Sequence, residues 1–322
     1  MKRFRNILVI CDDETGLDGA FARMRWLAKA NDASITLMDC VEAEPGALAR
    51  LFSALPGAQG YELEDQVFPF HRGRLDRLAD ALRAEGLRVR TMVSQGVLFL
   101  QAIRQVMRDD HDLVVKVAQR GAGRPLFSGT DMHLMRKCPC AVWILKTEGE
   151  PRARRILAAI DPDPQDAVRH QLCQTVLELA TSLARHDDAE LDVINVWRVQ
   201  EESTLRHSLI KMPETDVTAI LQQEERRSAW RLNSVMEAFP DDHGRRRVLH
   251  VKGVAGEVIP DHARTEAIDT IVMGTLGRTG VAGFFIGNTA ETILSRADCA
   301  VLAVKPPGFV SPVEVGADTA TA

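Results

Sequence analysis

No run of apolar residues in this sequence approaches the roughly 18 that a membrane-spanning helix needs. The N-terminus, Met1-Lys2-Arg3-Phe4-Arg5-Asn6-Ile7, passes straight into a strand pattern too short to serve as a secretory leader. A cytoplasmic location is therefore the expectation. Positive charge is not in surplus either: 40 Lys and Arg stand against 45 Asp and Glu, a net −5. A mildly acidic chain has no general electrostatic drive toward nucleic acid or anionic lipid. Catalytic signatures are missing in turn. There is no Gly-Lys-Ser/Thr phosphate loop and no G-x-G-x-x-G fingerprint. There is also no Gly-x-Ser-x-Gly nucleophile elbow. His71, His133, His250 and His262 fall in different elements and form no His-x3-His or His-Glu-x-x-His pattern. Of the six cysteines, Cys138 and Cys140 are the only close pair. They lack both the C-x-x-C redox spacing and a second Cys/His pair for a metal, so a structural role is expected.

What is present is a repeat. The 322 residues suggest about two domains, and the chain reads as two copies of one βαβαβαβαβ unit joined near residues 146–155. Ile7-Leu8-Val9-Ile10-Cys11-Asp12 returns as Ile156-Leu157-Ala158-Ala159-Ile160-Asp161. Helical spacing follows each, over about residues 18–30 and 165–185. Second strands are Ser34–Val41 and Leu191–Trp197. Residues 45–60 and 198–213 read as loops, and each leads into a charged helix, over about 64–85 and 215–238. Third strands begin at Val89 and Arg247, and Gly96 and Gly253 then precede short helices. Fourth strands are Leu113–Val117 and Thr270–Met273; fifth strands are Ala141–Leu145 and Ala300–Val304. Strands alternating with helices imply a parallel sheet covered on both faces. Ligands of such sheets sit beyond the carboxyl ends of the strands at the switch point. That rule brings Asp161, Val196 and Gly274 to one mouth. The segment from Pro306 on has no periodicity and is expected to be disordered.

The most informative stretch follows the fourth strand of the second copy. Glycines stand at 274, 277, 280, 283 and 287, and Asn288-Thr289-Ala290-Glu291 follows, a helix-start signature with Asn288 as the cap. Glycine lets backbone amides approach a ligand closely, and a helix start offers unpaired N–H donors to a phosphate. Composition alone leaves a plain glycine-rich surface turn equally open.

The spacing Gly274-x2-Gly277-x9-Gly287-Asn288 resembles the ATP-binding pattern of the universal stress protein family. Asp269-Thr270-Ile271-Val272-Met273-Gly274 resembles the strand that precedes it there, and Cys299-Ala300-Val301-Leu302-Ala303-Val304-Lys305 the closing strand. With Thr130–Cys140 in the first copy, the chain looks like the tandem, E-type members. The resemblance implies an α/β fold of two tandem open parallel five-stranded sheets, strand order 3-2-1-4-5, helices on both faces. It also implies an internal pseudo-dimer through the fifth strands, with association of two chains left open. The domains are then residues 1–148, 149–306 and a tail of 307–322. It implies a stress-induced protein that binds ATP, with Mg, in its second domain and acts as a nucleotide-dependent regulator toward protein partners. Asp161 would sit near adenine and ribose, and the Val196 backbone would pair with adenine. Gly274, Gly277, Gly287 and Asn288 would line ribose and phosphate, with Thr289 following at the helix start. Arg278 is the cation beside the glycines, able to meet a phosphate or to be an ordinary surface Arg. Trp197 could stack on a base or be a core or interface residue. The chain has neither a Walker lysine nor a dedicated general base, so at most weak ATP hydrolysis is expected. Alternatives are a carrier of another nucleotide-bearing ligand, such as a lipid-linked nucleotide sugar, or a scaffold with an empty loop.

The first copy departs from this pattern. Val117 stands where Gly274 stands, Arg120 replaces Gly277, and the loop is two residues shorter. A β-branched Val adopts φ > 0 poorly, so the first domain is expected to be a degenerate copy, either packing only or holding a weak anion site or a site for another ligand.

Overall fold

The computed structural model describes residues 4–12, 17–41, 63–118, 126–146, 152–199, 202–207, 212–240, 244–276 and 286–315. Two compact units divide the chain. One is built on Met1–Arg152, with Phe309–Ala322 joined to it, and the other on Ala153–Gly280 and Ile286–Gly308.

The first unit runs β1 (Asn6–Ile10), α1 (Leu17–Asn31), β2 (Ser34–Val41), α2 (Leu63–Ala84), β3 (Arg88–Gln95), α3 (Leu98–Asp109), β4 (Leu113–Ala118), α4 (Gly129–Lys137), β5 (Ala141–Lys146). Its strands lie in the order β3-β2-β1-β4-β5, each pair parallel. The second unit runs β6 (Arg155–Ala159), α5 (Ala167–Asp187), β7 (Glu190–Trp197), α6 (Glu202–His207), α7 (Glu214–Met236), β8 (Arg246–Lys252), α8 (Ala255–Thr265), β9 (Thr270–Gly274), α9 (Asn288–Arg296), β10 (Ala300–Val304). Its order is β8-β7-β6-β9-β10, again parallel throughout. Both are the expected 3-2-1-4-5 arrangement. Right-handed crossovers place the helices before the reversal on one face and those after it on the other. The reversal opens a crevice between β1 and β4, and between β6 and β9.

The sequence dictates where each strand sits. Central strands such as Leu113–Ala118 are unbroken buried runs, as a sheet covered on both faces requires. The outermost strands of the first three in each unit, β3 and β8, carry Arg88, Arg90, Arg246 and Arg247 and are largely uncovered. Charge there discourages pairing with another chain.

The repeat extends to backbone detail. Asp32 and Asp188 occupy matched turns at φ 52° and 57°, and Asp110 and Ala267 at φ 53° and 50°. The carboxylate of Asp112 accepts from the amides of Arg5 and Asn6 at 2.6 and 3.1 Å. Asp269 does the same for Arg154 and Arg155 at 2.6 and 2.9 Å. The aspartate that opens the fourth strand therefore staples the start of the first.

Three expectations meet a different outcome or fall outside the description. The stretch 198–213, read as loop, contains the short helix α6, whose Glu202 pairs with Lys252 at 2.8 Å. The loop at 45–60 lies outside the described residues. Beyond β10 no helix or strand occurs through Val315, yet Arg104 donates to the Glu314 carbonyl at 3.2 Å, so this part of the tail has a fixed contact on α3.

Candidate functional site

In the second unit the crevice is framed by Asp161, two residues past β6, and by Gly274, the last residue of β9. The Ile160 amide donates to the Ile194 carbonyl at 3.0 Å, which carries the ladder to the brink of Asp161. The Asp161 side chain is half exposed, 3.9 Å from Arg169, which also lies 3.8 Å from Asp163; Arg231 lies 3.7 Å from Asp163. These are loose, solvated pairs of small worth. Their effect is to bring two cations to the mouth that the sequence reading missed. The turn into α5 is capped by Asp166, which accepts from the amides of Val168 and Arg169 at 3.0 and 3.1 Å. The helix start thus has its own carboxylate and does not depend on Asp161.

Val196 is buried in β7 opposite Val251. A side-chain chain fixes the segment around it. Asn195 Nδ2 donates to the Ile160 carbonyl at 3.1 Å, Ser228 Oγ donates to Asn195 Oδ1 at 3.0 Å, and His250 Nε2 lies 3.0 Å from Ser228 Oγ. With the serine proton committed to Asn195, the imidazole supplies the donor. Burial holds His250 below its ordinary pKa. Trp197 is buried and stacked on His250 at 5.7 Å with 16° between planes, which is the core role of the two considered.

The glycine loop begins and ends in ordered structure. Thr275 donates from both its amide and its hydroxyl to the Val304 carbonyl, at 3.0 and 3.3 Å, and the Gly287 amide donates to the Thr275 carbonyl at 3.1 Å. The two ends of the loop are thereby clasped at its base. Gly277 and Arg278 lie outside the described residues. Gly274 is where the backbone argument needs refinement: a Cβ there would come within 2.5 Å of Leu172 Cδ2 and 2.9 Å of its Cγ. This glycine is required by the packing of α5 on β9, whatever it does for a ligand.

The helix start differs from the expected capping box. Gly287 is the N-cap, in extended geometry, and no side chain caps the helix. Asn288 is already the first helical residue, and both it and Thr289 are exposed. As the first amides of the helix, those of Asn288, Thr289 and Ala290 have no carbonyl four residues back within it to bond. A helix with its first donors unmet is a ready anion site.

The first unit fills the corresponding space with its own side chains. By strand register Asp12 corresponds to Asp161, Lys116 to Met273 and Val117 to Gly274. The ammonium of Lys116 is fully buried, 3.0 Å from Asp12 and 3.2 Å from Asp131, and donates to the Val117 carbonyl at 3.1 Å. Burial opposes its charge, but Asp131 and Asp12 outweigh that and hold its pKa above the usual lysine value. Asp131 belongs to a complete capping box on α4: Ser128 Oγ accepts from the Asp131 amide, and Asp131 accepts from the Ser128 amide at 2.7 Å. Where α9 is uncapped, α4 has a carboxylate of its own. Asp39, the counterpart of Asn195, is buried and bonded to Arg74 at 2.7 Å and to His71 at 2.5 Å, and Arg74 also donates to the Cys11 carbonyl. That carbonyl matches the Ile160 carbonyl which Asn195 serves in the second unit.

The family model described as the universal stress protein family matches residues 3–146 and again 152–305. The chain belongs to the universal stress protein family. Universal stress protein E of Escherichia coli (strain K12) is 30% identical over 224 residues, covering 67% of this chain and 68% of its own. A universal stress protein E homolog of Haemophilus influenzae is 25% identical over 312 residues, 94% of this chain and 98% of its own. Among solved structures, a functionally unknown protein from Pseudomonas aeruginosa superposes with TM-score 0.68 at 24% identity over 95% of this chain and 94% of its own. A universal stress protein from Archaeoglobus fulgidus gives 0.58 at 15% identity, over 93% and 98%. At those identities the two structures speak for the universal stress protein fold. No helix among the described residues is long and apolar enough to cross a membrane.

Proposed function

We propose that the second unit binds ATP and that the protein acts in the stress response as a nucleotide-dependent binding module. The observation that carries this is the start of α9, uncapped by any side chain, directly after the clasped loop Gly274-x2-Gly277-x9-Gly287. Its amides and the loop backbone would hold the phosphates. Asp161 would accept from the ribose, and the backbone at Val196, braced by Asn195, would read the adenine edge. Magnesium would ride on the phosphates and keep most of its waters. Among the described residues no group of three His, Cys, Asp or Glu side chains is set to cage a metal, and a phosphate-borne ion requires none. Arg169 and Arg231 add positive charge at the mouth. Thermal unfolding of the full chain with and without ATP and magnesium tests the reading. At 100-fold excess over Kd, ligand binding stabilises the folded state by about 2.7 kcal/mol. An unchanged unfolding curve at millimolar ATP would refute it.

A further inference from the structure

The six thiols of this chain are not alike. Cys11, Cys40, Cys138, Cys173 and Cys299 are buried, and Cys140 alone is partly exposed. Burial pushes the Cys11 and Cys173 thiols up to about 12, which leaves them unreactive. Cys140 lies at the turn that leads from α4 into β5, and its Sγ is 3.5 Å from the Sγ of Cys138. Cys138 is the C-cap of α4, tied by its amide to the Leu134 carbonyl. A partly exposed cysteine therefore touches a buried one. Pro139 between them restricts the backbone that holds them together. Reactive pairs have this division: an accessible thiol that is oxidised and a neighbour that resolves it.

We propose that Cys138 and Cys140 form a reversible intrachain disulfide when the protein meets hydrogen peroxide. The Cys140 thiolate attacks one peroxide oxygen, the O–O bond breaks, and the departing hydroxide takes a proton to leave as water. Cys140 is then a sulfenic acid. The Cys138 sulfur attacks the Cys140 sulfur, the S–OH bond breaks, and hydroxide leaves with the Cys138 proton as a second water. Two thiols are oxidised by two electrons and one peroxide is reduced to two waters. The sulfurs close from contact to the roughly 2.05 Å of a disulfide. A ring spanning a single intervening residue is strained, and strained disulfides are the readily reduced, regulatory ones. The bond would fix the C-terminal end of α4 to the start of β5.

The experiment is peroxide treatment of the folded full chain, followed by intact mass, thiol counting after denaturation, and peptide mapping. The expected result is loss of two of the six thiols, a tryptic peptide with an internal 138–140 bond, and full recovery with dithiothreitol. In Cys140→Ser no thiol should be lost at the same dose. In Cys138→Ser the Cys140 sulfenic acid should persist and be trapped by dimedone. Retention of all six thiols in the wild type, oxidation of Cys140 to the sulfinic acid, or chain-to-chain disulfides in place of the internal bond would each overturn the proposal. Because Cys138 is buried, the Cys140→Ser variant, at a partly exposed position, keeps the test valid should Cys138→Ser fold poorly.

Discussion

At the carboxyl ends of their strands, the two units solve one electrostatic problem in opposite ways. A helix begins there in each, with amides that need acceptors. In the first unit Ser128 and Asp131 satisfy α4, and Lys116 sits between Asp131 and Asp12 as a buried counter-ion. In the second unit the matching residues are Gly287, Ala290 and Met273, which bring neither hydroxyl nor charge. A carboxylate at a helix start and a bound phosphate are alternative occupants of the same field. The first unit has internalised the anion; under the proposed function the second leaves the place for one that arrives from solution. Loss of the glycines at 117 and 120 is thus half of the difference. The other half is the gain of a lysine and an aspartate that keep the space filled.

Removing the buried cation should break this contrast most forcefully. Lys116→Met copies the second unit but leaves Asp12 and Asp131 facing each other without a counter-ion. Removing one partner of a buried pair costs about 3–5 kcal/mol, to be read from denaturant unfolding. Lys116→Met with Asp131→Ala removes both charges and should lose clearly less. Equal losses would mean that the pair is not coupled. Gly274→Val comes next. The clash with Leu172 should cost about 1–3 kcal/mol of stability, the range for overpacking, and ATP affinity should fall with it. Pairing Gly274→Ala with Leu172→Ala separates the two roles. If stability recovers relative to Gly274→Ala alone while ATP binding stays weak, the glycine serves both packing and ligand.

Asp161→Ala sharpens the comparison from the ligand side. Because Asp166 caps α5, the fold should hold while ATP binding weakens by about 1.5–3 kcal/mol, the range for a hydrogen bond to a charged group. Unchanged affinity would return Asp161 to a bystander role. The smallest effect is that of pH. His111 of the first unit is buried against Thr36 and the Gln105 carbonyl, and burial lowers its pKa from 6.5. The unfolded chain therefore takes up a proton first as pH falls through 6.5, and stability drops there. Urea midpoints should decline from pH 7.5 to 5.5, and His111→Gln should flatten the decline. A midpoint that rises toward pH 5.5 would contradict the assignment.

Much of the fold was legible because parallel strands buried on both faces must be written as apolar runs. Two copies of each run made the alignment nearly self-checking. The helix at 202–207 was not legible, since six mostly polar residues carry no helical period. The cap of α9 was misread by one residue: Asn is the better cap by propensity, but Gly287 takes the extended geometry and Asn288 enters the helix. Lys116 was visible as a charge inside an apolar strand, and Ser128-x-x-Asp131 as a capping box. Their partnership was hidden because Asp12 lies on another strand far away in sequence. Arg169 and Arg231 were hidden for the same reason. Gly274 shows the reverse case: a residue placed correctly whose packing role against Leu172 only the folded contact reveals.

Calorimetric titration of the full chain with ATP and magnesium tests the central contrast most directly. The account predicts one nucleotide per chain, retained in Lys116→Arg and lost when the loop glycines of the second unit are replaced. Two equivalent nucleotides per chain would contradict it, because the first unit would then bind ATP with Lys116 and Asp131 still in place.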